Sequence, residues 1–63
     1  MIITKILLND SEGVRTFRHL MAKHDISIVE EEKWPDGFVV VVAASAPIIE
    51  KMLSETDLDW KFD

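Results

Sequence analysis

The stretch Phe38-Val39-Val40-Val41-Val42-Ala43-Ala44 decides the fold, because four consecutive valines stand between an aromatic residue and two alanines. Branching at the β-carbon disfavours a helix, and the run contains no polar side chain that could face solvent. A strand that is apolar on both faces is typical of the centre of a sheet. The run therefore predicts a central strand, around which the rest of the chain is arranged.

The residues on either side of this run predict a hairpin and a helix. The sequence Pro-Asp-Gly at 35–37 is a strong turn signal. Before it, residues 26–34 become more polar along their length and include three successive glutamates, which is expected of an edge strand. After the run, Ser-Ala-Pro at 45–47 is suited to open a helix that ends near residues 55–56. The predicted buried stripe of that helix is Ile48, Ile49, Met52 and Leu53.

The two ends of the chain predict the remaining elements. Residues 2–8 form an aliphatic run rich in β-branched side chains, which is typical of a second strand that is apolar on both faces. With Asp10 or Ser11 as N-cap, apolar side chains then recur at helical spacing until residues 24–25. These side chains are Val14, Phe17, Leu20 and Met21. Residues 58–62 alternate between apolar and charged, which predicts a short last strand.

The resulting element order is βαββαβ, which predicts a fold of the α+β class. Two interleaved split βαβ units form a ferredoxin-like sandwich, with a four-stranded antiparallel sheet and two helices on one face. The first and third strands are then central, which agrees with their apolar character. A chain of 63 residues is expected to form one such domain, spanning residues 1–63.

Composition narrows the classes of function. Twelve acidic and seven basic side chains give a net charge of −5, which repels a phosphate backbone and argues against nucleic acid as a partner. The chain has no cysteine for a disulfide or a thiolate metal site, and we expect no cofactor. Its apolar residues are too interrupted for a membrane span, and no charged leader with a long apolar stretch opens the sequence. We therefore expect a cytoplasmic protein that does not bind membranes.

The sheet has a second face that no helix covers, and this face is expected to be apolar. The predicted interface comprises the side chains of Ile3, Leu7, Val39, Val41 and Ala43. Large exposed apolar patches are unusual on monomers, so we expect a homo-oligomer or a tight protein partner at this face. In the alternative interpretation, Thr4, Lys5 and side chains of the edge strands screen the face from water.

A cationic stripe is predicted on the first helix, where four basic side chains fall on one face: Arg15, Arg18, His19 and Lys23. The stripe is a candidate contact for an anion or an acidic partner. In the alternative, it is a solvated face that pairs with the glutamates at 30–32. Successive carboxylates of a strand point to opposite faces, so those glutamates predict no metal site.

Catalysis is not expected. His19 and His24 are five residues apart and leave a helix in different directions, unlike the pair of a zinc site. No serine stands in a nucleophile elbow, and no triad is visible. For Trp34 and Trp60 the sequence leaves two roles open, contact at an interface and packing at a sheet edge.

The segment Asn-Asp-Ser-Glu-Gly-Val at 9–14, followed by Phe17, Leu20, Met21 and Asp-Ile-Ser-Ile at 25–28, resembles the opening of an ACT domain. ACT domains are ferredoxin-like regulatory modules that associate through their sheets and bind amino acids or other small ligands near the loop after the first strand. The resemblance implies that Asp10, Glu12 and Gly13 line such a site and that Val14 flanks it. Glu12 stands where the family usually has a proline.

Together these features predict a small non-enzymatic regulatory or ligand-sensing module that acts as a homo-oligomer, with a small ligand such as an amino acid. The alternative is an acidic interaction module, such as an inhibitor or adaptor, that docks on a larger protein.

Overall fold

The computed structural model describes residues 1–63 and contains two helices and four strands. In chain order the elements are β1 (Thr4–Leu8), α1 (Ser11–Lys23), β2 (Ile28–Trp34), β3 (Gly37–Val42), α2 (Ala46–Leu53) and β4 (Trp60–Phe62). This is the order that the hydrophobic pattern predicts. Neither helix has the length and apolar character required to span a bilayer.

The four strands form one antiparallel sheet in the order β2-β3-β1-β4. The predicted central position of the valine strand is confirmed, because β3 lies between β2 and β1. Thr4 pairs with Val42 at one end of β1, and Leu8 pairs with Phe38 at the other end. The short strand β4 pairs with the outer side of β1. The chain is therefore an α+β protein with its two most apolar strands in the middle of the sheet.

Both helices pack on the same face of this sheet. The strands contribute Ile6, Leu8, Val40 and Val42 to one buried cluster, and the register places these four side chains on a common face. The helices complete the cluster with Val14, Phe17 and Met21 from α1 and with Ile49 and Leu53 from α2. Most of each predicted apolar stripe is thus buried, with Leu20 and Met52 partly buried at its border. The prediction that Ile48 is buried is wrong, because this side chain is 53% exposed.

Thr4 also lies on the helix-covered face, where it is buried. Its hydroxyl Oγ1 donates a hydrogen bond of 2.7 Å to the carbonyl oxygen of Ala44, in the segment that joins β3 to α2. One interpretation of the sequence supposed that Thr4 screens the uncovered face of the sheet. This is wrong, because Thr4 lies on the other face. Pairing of this hydroxyl removes the cost of burying an unsatisfied polar group.

The ends of the helices differ in how they are capped. Asp10 is the N-cap of α1, and its carboxylate accepts a 2.7 Å hydrogen bond from the backbone N–H of Gly13. Beyond the C-cap His24, Asp25 adopts a positive φ of 58°, which turns the chain towards β2. Ser45 occupies the N-cap position of α2, but its side chain makes no capping hydrogen bond. That helix ends at Leu53, slightly earlier than predicted.

A tight hairpin connects β2 and β3. Trp34 pairs directly with Gly37, so that only Pro35 and Asp36 form the loop. Gly37 has a φ of 154°, and a β-carbon built on it would lie 2.5 Å from the carbonyl oxygen of Leu8 on the neighbouring β1. The predicted turn is therefore confirmed, and both the backbone angle and the surroundings of this position favour glycine. At the other end of β2, Val29 forms a β-bulge.

Candidate functional site

One face of the sheet is not covered by the helices, and we call it the open face. Because strand neighbours alternate, residues one position away from each core residue point to this side. The register aligns Glu30 with Val41, and Val41 with Lys5. The open face is formed by Lys5, Leu7, Glu30, Glu32, Trp34, Val39, Val41 and Lys61.

The centre of the open face is apolar, but it is only partly exposed. Val41 retains 6% of its surface accessible, while Val39 and Leu7 are half-buried. A shallow hollow of about 90 Å³ lies over the two valines, and longer side chains surround it. These side chains are Lys5, Glu30, Glu32, Trp34 and Asp63. The centre of the face is therefore apolar, as the predicted interface requires, and Lys5 and side chains of the edge strands surround it, as the alternative interpretation requires. The two interpretations do not exclude each other.

The predicted interface residues divide into two groups. Leu7, Val39 and Val41 lie within the paired strands, on the open face. Ile3 precedes β1 and is 47% exposed, whereas Ala43 follows β3 and is half-buried. The backbone N–H of Ala43 donates to the carbonyl oxygen of Ser27 at 3.0 Å, which extends the pairing between β2 and β3. The predicted contact thus has its centre on β1 and β3.

The two tryptophans have different environments. Trp34 is 51% exposed and borders two hollows of the open face, the one over the valines and another of about 110 Å³ beside Leu7 and Lys61. Its indole Nε1 donates a 3.1 Å hydrogen bond to Oε2 of Glu32. Trp60 instead packs against the core and meets Phe62 edge-to-face, with ring centroids 5.0 Å apart. Trp34 is therefore the more exposed of the two tryptophans, a difference that the sequence left open.

A groove of about 500 Å³ lies at the N-terminal end of α1. Three of the four residues suggested by the ACT resemblance line it, namely Asp10, Glu12 and Gly13. Val14 does not line the groove, because its side chain is buried in the core at 3% exposure. The opposite wall comes from the segment between α2 and β4. Its residues are Thr56, Asp57, Leu58 and Asp59.

The polar groups of the groove are mostly acidic. Four carboxylates line it, and its lining includes no basic side chain. Two of these carboxylates are engaged: Asp10 caps α1, and Oδ2 of Asp59 accepts a hydrogen bond from Nδ2 of Asn9. Glu12 and Asp57 are exposed and accept no side-chain hydrogen bond within the protein. The groove therefore presents negative charge to whatever enters it.

The cationic stripe of α1 is exposed along its whole length. Arg18 donates two hydrogen bonds to Glu31 on β2, from Nε to Oε2 at 2.9 Å and from Nη2 to Oε1 at 2.5 Å. This is the chain's one ion pair, and it agrees with the alternative in which the stripe pairs with the glutamate run. Arg15, His19 and Lys23 form no ion pair.

The ion pair perturbs both of its members. The hydrogen bond from Arg18 lowers the pKa of Glu31 from its usual value, although partial burial opposes this shift, and the pKa of Arg18 is raised. Because the folded-state pKa of Glu31 is depressed, the stabilisation from the pair is present above the ordinary pKa of a glutamate. It is lost as the pH falls through the lowered value. Exposed pairs of this kind contribute little to stability.

The glutamate run divides between the two faces of the sheet. Glu30 and Glu32 lie on the open face, while Glu31 points to the helix side and reaches Arg18. The three carboxylates therefore do not converge, as their strand spacing predicts. No group of three or more histidine, aspartate or glutamate side chains is arranged to hold a metal ion.

The comparisons with known proteins give no relative for this arrangement. No protein-family model, no curated protein and no solved structure matches the chain.

Proposed function

We propose that this chain is a non-enzymatic regulatory module that acts as a homodimer through its open face. One observation carries the proposal: the central strands present Leu7, Val39 and Val41 on the side of the sheet that has no helix. Half-exposed Trp34 stands beside them. Tryptophan is enriched among the residues that dominate binding energy at protein interfaces.

The small core favours association. Only 11 of the 63 residues are buried, all on the strands, α1 and α2. Domains of this size bury too little apolar surface to be strongly stable on their own. If the sheet of a second copy packed on the open face at a distance of about 10 Å, the apolar centres of both open faces would be buried.

We also propose that the α+β fold is a ferredoxin-like sandwich with ACT-like character. The strand order β2-β3-β1-β4, with both helices packed on one face, supports a ferredoxin-like sandwich. The ACT-like character is supported by the segment at 9–14, three of whose residues border the groove. The cytoplasmic location expected from the sequence belongs to this proposal as well.

In this proposal the chain is not an enzyme, and one of its two histidines, His24, lies far from the groove. His24 is the C-cap of α1, and the groove lies at the other end of this helix. Thirteen residues of helix separate the two ends by about 20 Å. A general base from His24 would therefore not reach a molecule in the groove.

Dimerisation is expected to depend on Val39. We expect the unchanged protein to sediment at about twice 7.2 kDa at micromolar concentration. Val39→Asp should sediment as a folded monomer, because it would place an unpaired carboxylate in the interface. Trp34→Ala should also weaken the dimer by tenfold or more. The measurements are sedimentation equilibrium and far-ultraviolet circular dichroism.

Val29→Asp is the matched control. Val29 is 49% exposed and lies in the bulge of β2, outside the alternation that forms the open face. This variant should remain dimeric. The proposal is wrong if the unchanged protein is monomeric at several hundred micromolar, or if Val39→Asp associates as tightly as Val29→Asp. A monomer with a stoichiometric protein partner would favour the alternative, a module that docks on a larger protein.

The groove favours a ligand-sensing role for the dimer, and its charge indicates the kind of ligand. Four carboxylates without a basic side chain suit the ammonium groups of an amino acid and repel its carboxylate. We therefore expect lysine or its methyl ester to bind, and glutamate not to bind.

Lysine methyl ester at ten times its dissociation constant should stabilise the fold by about 1.4 kcal/mol, since the ligand binds only the native state. In thermal unfolding this corresponds to a rise of several degrees. Asp57→Asn should reduce the shift, because Asp57 borders the groove without a hydrogen-bonding role in the fold. Equal shifts with glutamate at matched ionic strength would contradict a cation-binding groove.

A further inference from the structure

The strand register arranges the open face in rows, and one of the two central rows has a distinctive order of charges. Leu7 on β1 pairs with Val39 on β3 and with Lys61 on β4. Val39 in turn pairs with Glu32 on β2. Across the four strands the row therefore reads acid, apolar, apolar, base. With neighbouring strands about 4.8 Å apart, the two charges are separated by about 14 Å.

This row is complementary to itself under one of two rotations. Sheets packed face to face with roughly aligned strands are related by a two-fold axis that lies between them. If the axis runs along the strands, between β3 and β1, Glu32 faces the partner's Lys61 and Val39 faces the partner's Leu7. If the axis instead runs across the strands, along this row, Glu32 faces the partner's Glu32. Like charges placed directly opposite each other are unfavourable, so the row selects the first axis.

We propose that the partner at the open face is a second copy of this chain whose two-fold axis runs along the strands. Glu32 of each copy then pairs with the partner's Lys61, on either side of a central contact between Val39 and the partner's Leu7. This inference rests on the proposed homodimer and specifies its orientation.

The hydrogen bond from Trp34 supports this role of Glu32. The indole Nε1 engages Oε2, which holds the carboxylate on the open face and leaves Oε1 available to accept from an ammonium group. Trp34 and Lys61 also border the same hollow beside Leu7. The acidic end of the row is thus oriented before association, which lowers the entropy cost of making the contact.

The neighbouring row is less favourable for this axis. It contains Glu30, Val41 and Lys5, and Asp63 follows on the β4 side, where its N–H donates to the carbonyl oxygen of Lys5. The same axis places Glu30 near the partner's Asp63. Aligned sheets cross at about 30°, which separates the corners of the two faces and leaves the centre in contact. The partner's Lys5 lies one strand nearer the centre, beside these two carboxylates, and reduces their repulsion.

Charge reversal tests the orientation. Glu32→Lys should weaken the homodimer by roughly tenfold or more, because both symmetric contacts become repulsive. Lys61→Glu should do the same. The double variant Glu32→Lys/Lys61→Glu should recover most of the affinity, since the row is then complementary in the opposite sense. Dissociation constants are measured by sedimentation equilibrium at low salt, and the differences should shrink at high salt.

Glu50→Lys is the control for the change in net charge, because Glu50 is exposed on α2, away from the open face. Glu32→Gln distinguishes the two axes, since neutralisation weakens the proposed dimer and strengthens one in which Glu32 faces the partner's Glu32. The orientation is overturned if Glu32→Lys behaves like Glu50→Lys, or if Glu32→Gln tightens association. In those cases the homodimer itself stands. A monomeric unchanged protein overturns both.

Discussion

Gly37→Val is expected to lower the free energy of unfolding by about 3 kcal/mol or more. The φ of 154° at Gly37 is a conformation that a β-branched residue rarely adopts. The new β-carbon would also lie 2.5 Å from the carbonyl oxygen of Leu8. That oxygen belongs to the backbone of the central strand β1, so it cannot move aside without disturbing the sheet. Urea unfolding followed by circular dichroism, at one fixed protein concentration, measures the loss.

Gly13→Ala is the matched control for this variant. A β-carbon at Gly13 would meet Oδ1 of Asp10 at 3.2 Å, which is the end of a side chain that can shift slightly. Alanine in a helix is favoured over glycine by about 0.5–1 kcal/mol, which offsets the close contact. We expect a change within about 0.5 kcal/mol in either direction. A Gly37→Val loss as small as this would show that the hairpin does not need glycine.

Phe17→Ala is expected to be the most damaging change in the core. Phe17 is fully buried and is the largest of the fully buried side chains. Truncation of a buried phenylalanine costs about 3–5 kcal/mol, because it removes apolar contacts and leaves a cavity. Total stability for a chain of this length is on the order of 3–9 kcal/mol. We therefore expect a large loss of cooperative unfolding, measured by thermal and urea denaturation.

Leu20→Ala provides the comparison on the same helix. Leu20 is half-buried at the boundary of the core, so its truncation removes fewer contacts. A loss of about 1 kcal/mol is expected. Equal losses for the two variants would mean that α1 does not pack on the sheet through Phe17.

The sequence predicts the sheet well where one physical signal dominates. The valine run has no polar side chain and little helical propensity, and β3 is central as expected. The hairpin follows from the chemistry of Pro35 and Gly37, and α1 from its cap and its apolar spacing. The bulge at Val29 was not predicted, because an extra residue in one strand depends on its pairing with the other.

The candidate site was predicted less completely, because its geometry depends on contacts between distant parts of the chain. Alternation alone separates Glu31 from its two neighbours. It does not distinguish the exposure of Trp34 from that of Trp60, since both stand on edge strands. The second wall of the groove, at residues 56–59, is brought near Asp10 by pairing of β4 with β1 and by the hydrogen bond from Asn9 to Asp59.

The outer edge of β2 has a consequence for the size of the proposed assembly. An unpaired strand edge is a template for another strand, and strands added in this way continue without limit into fibres. In β2 the bulge at Val29 interrupts the regular edge, and three successive glutamates place like charges along it. Both features oppose growth from this edge. Contact through a face related by a two-fold axis, in contrast, is complete when two copies have met.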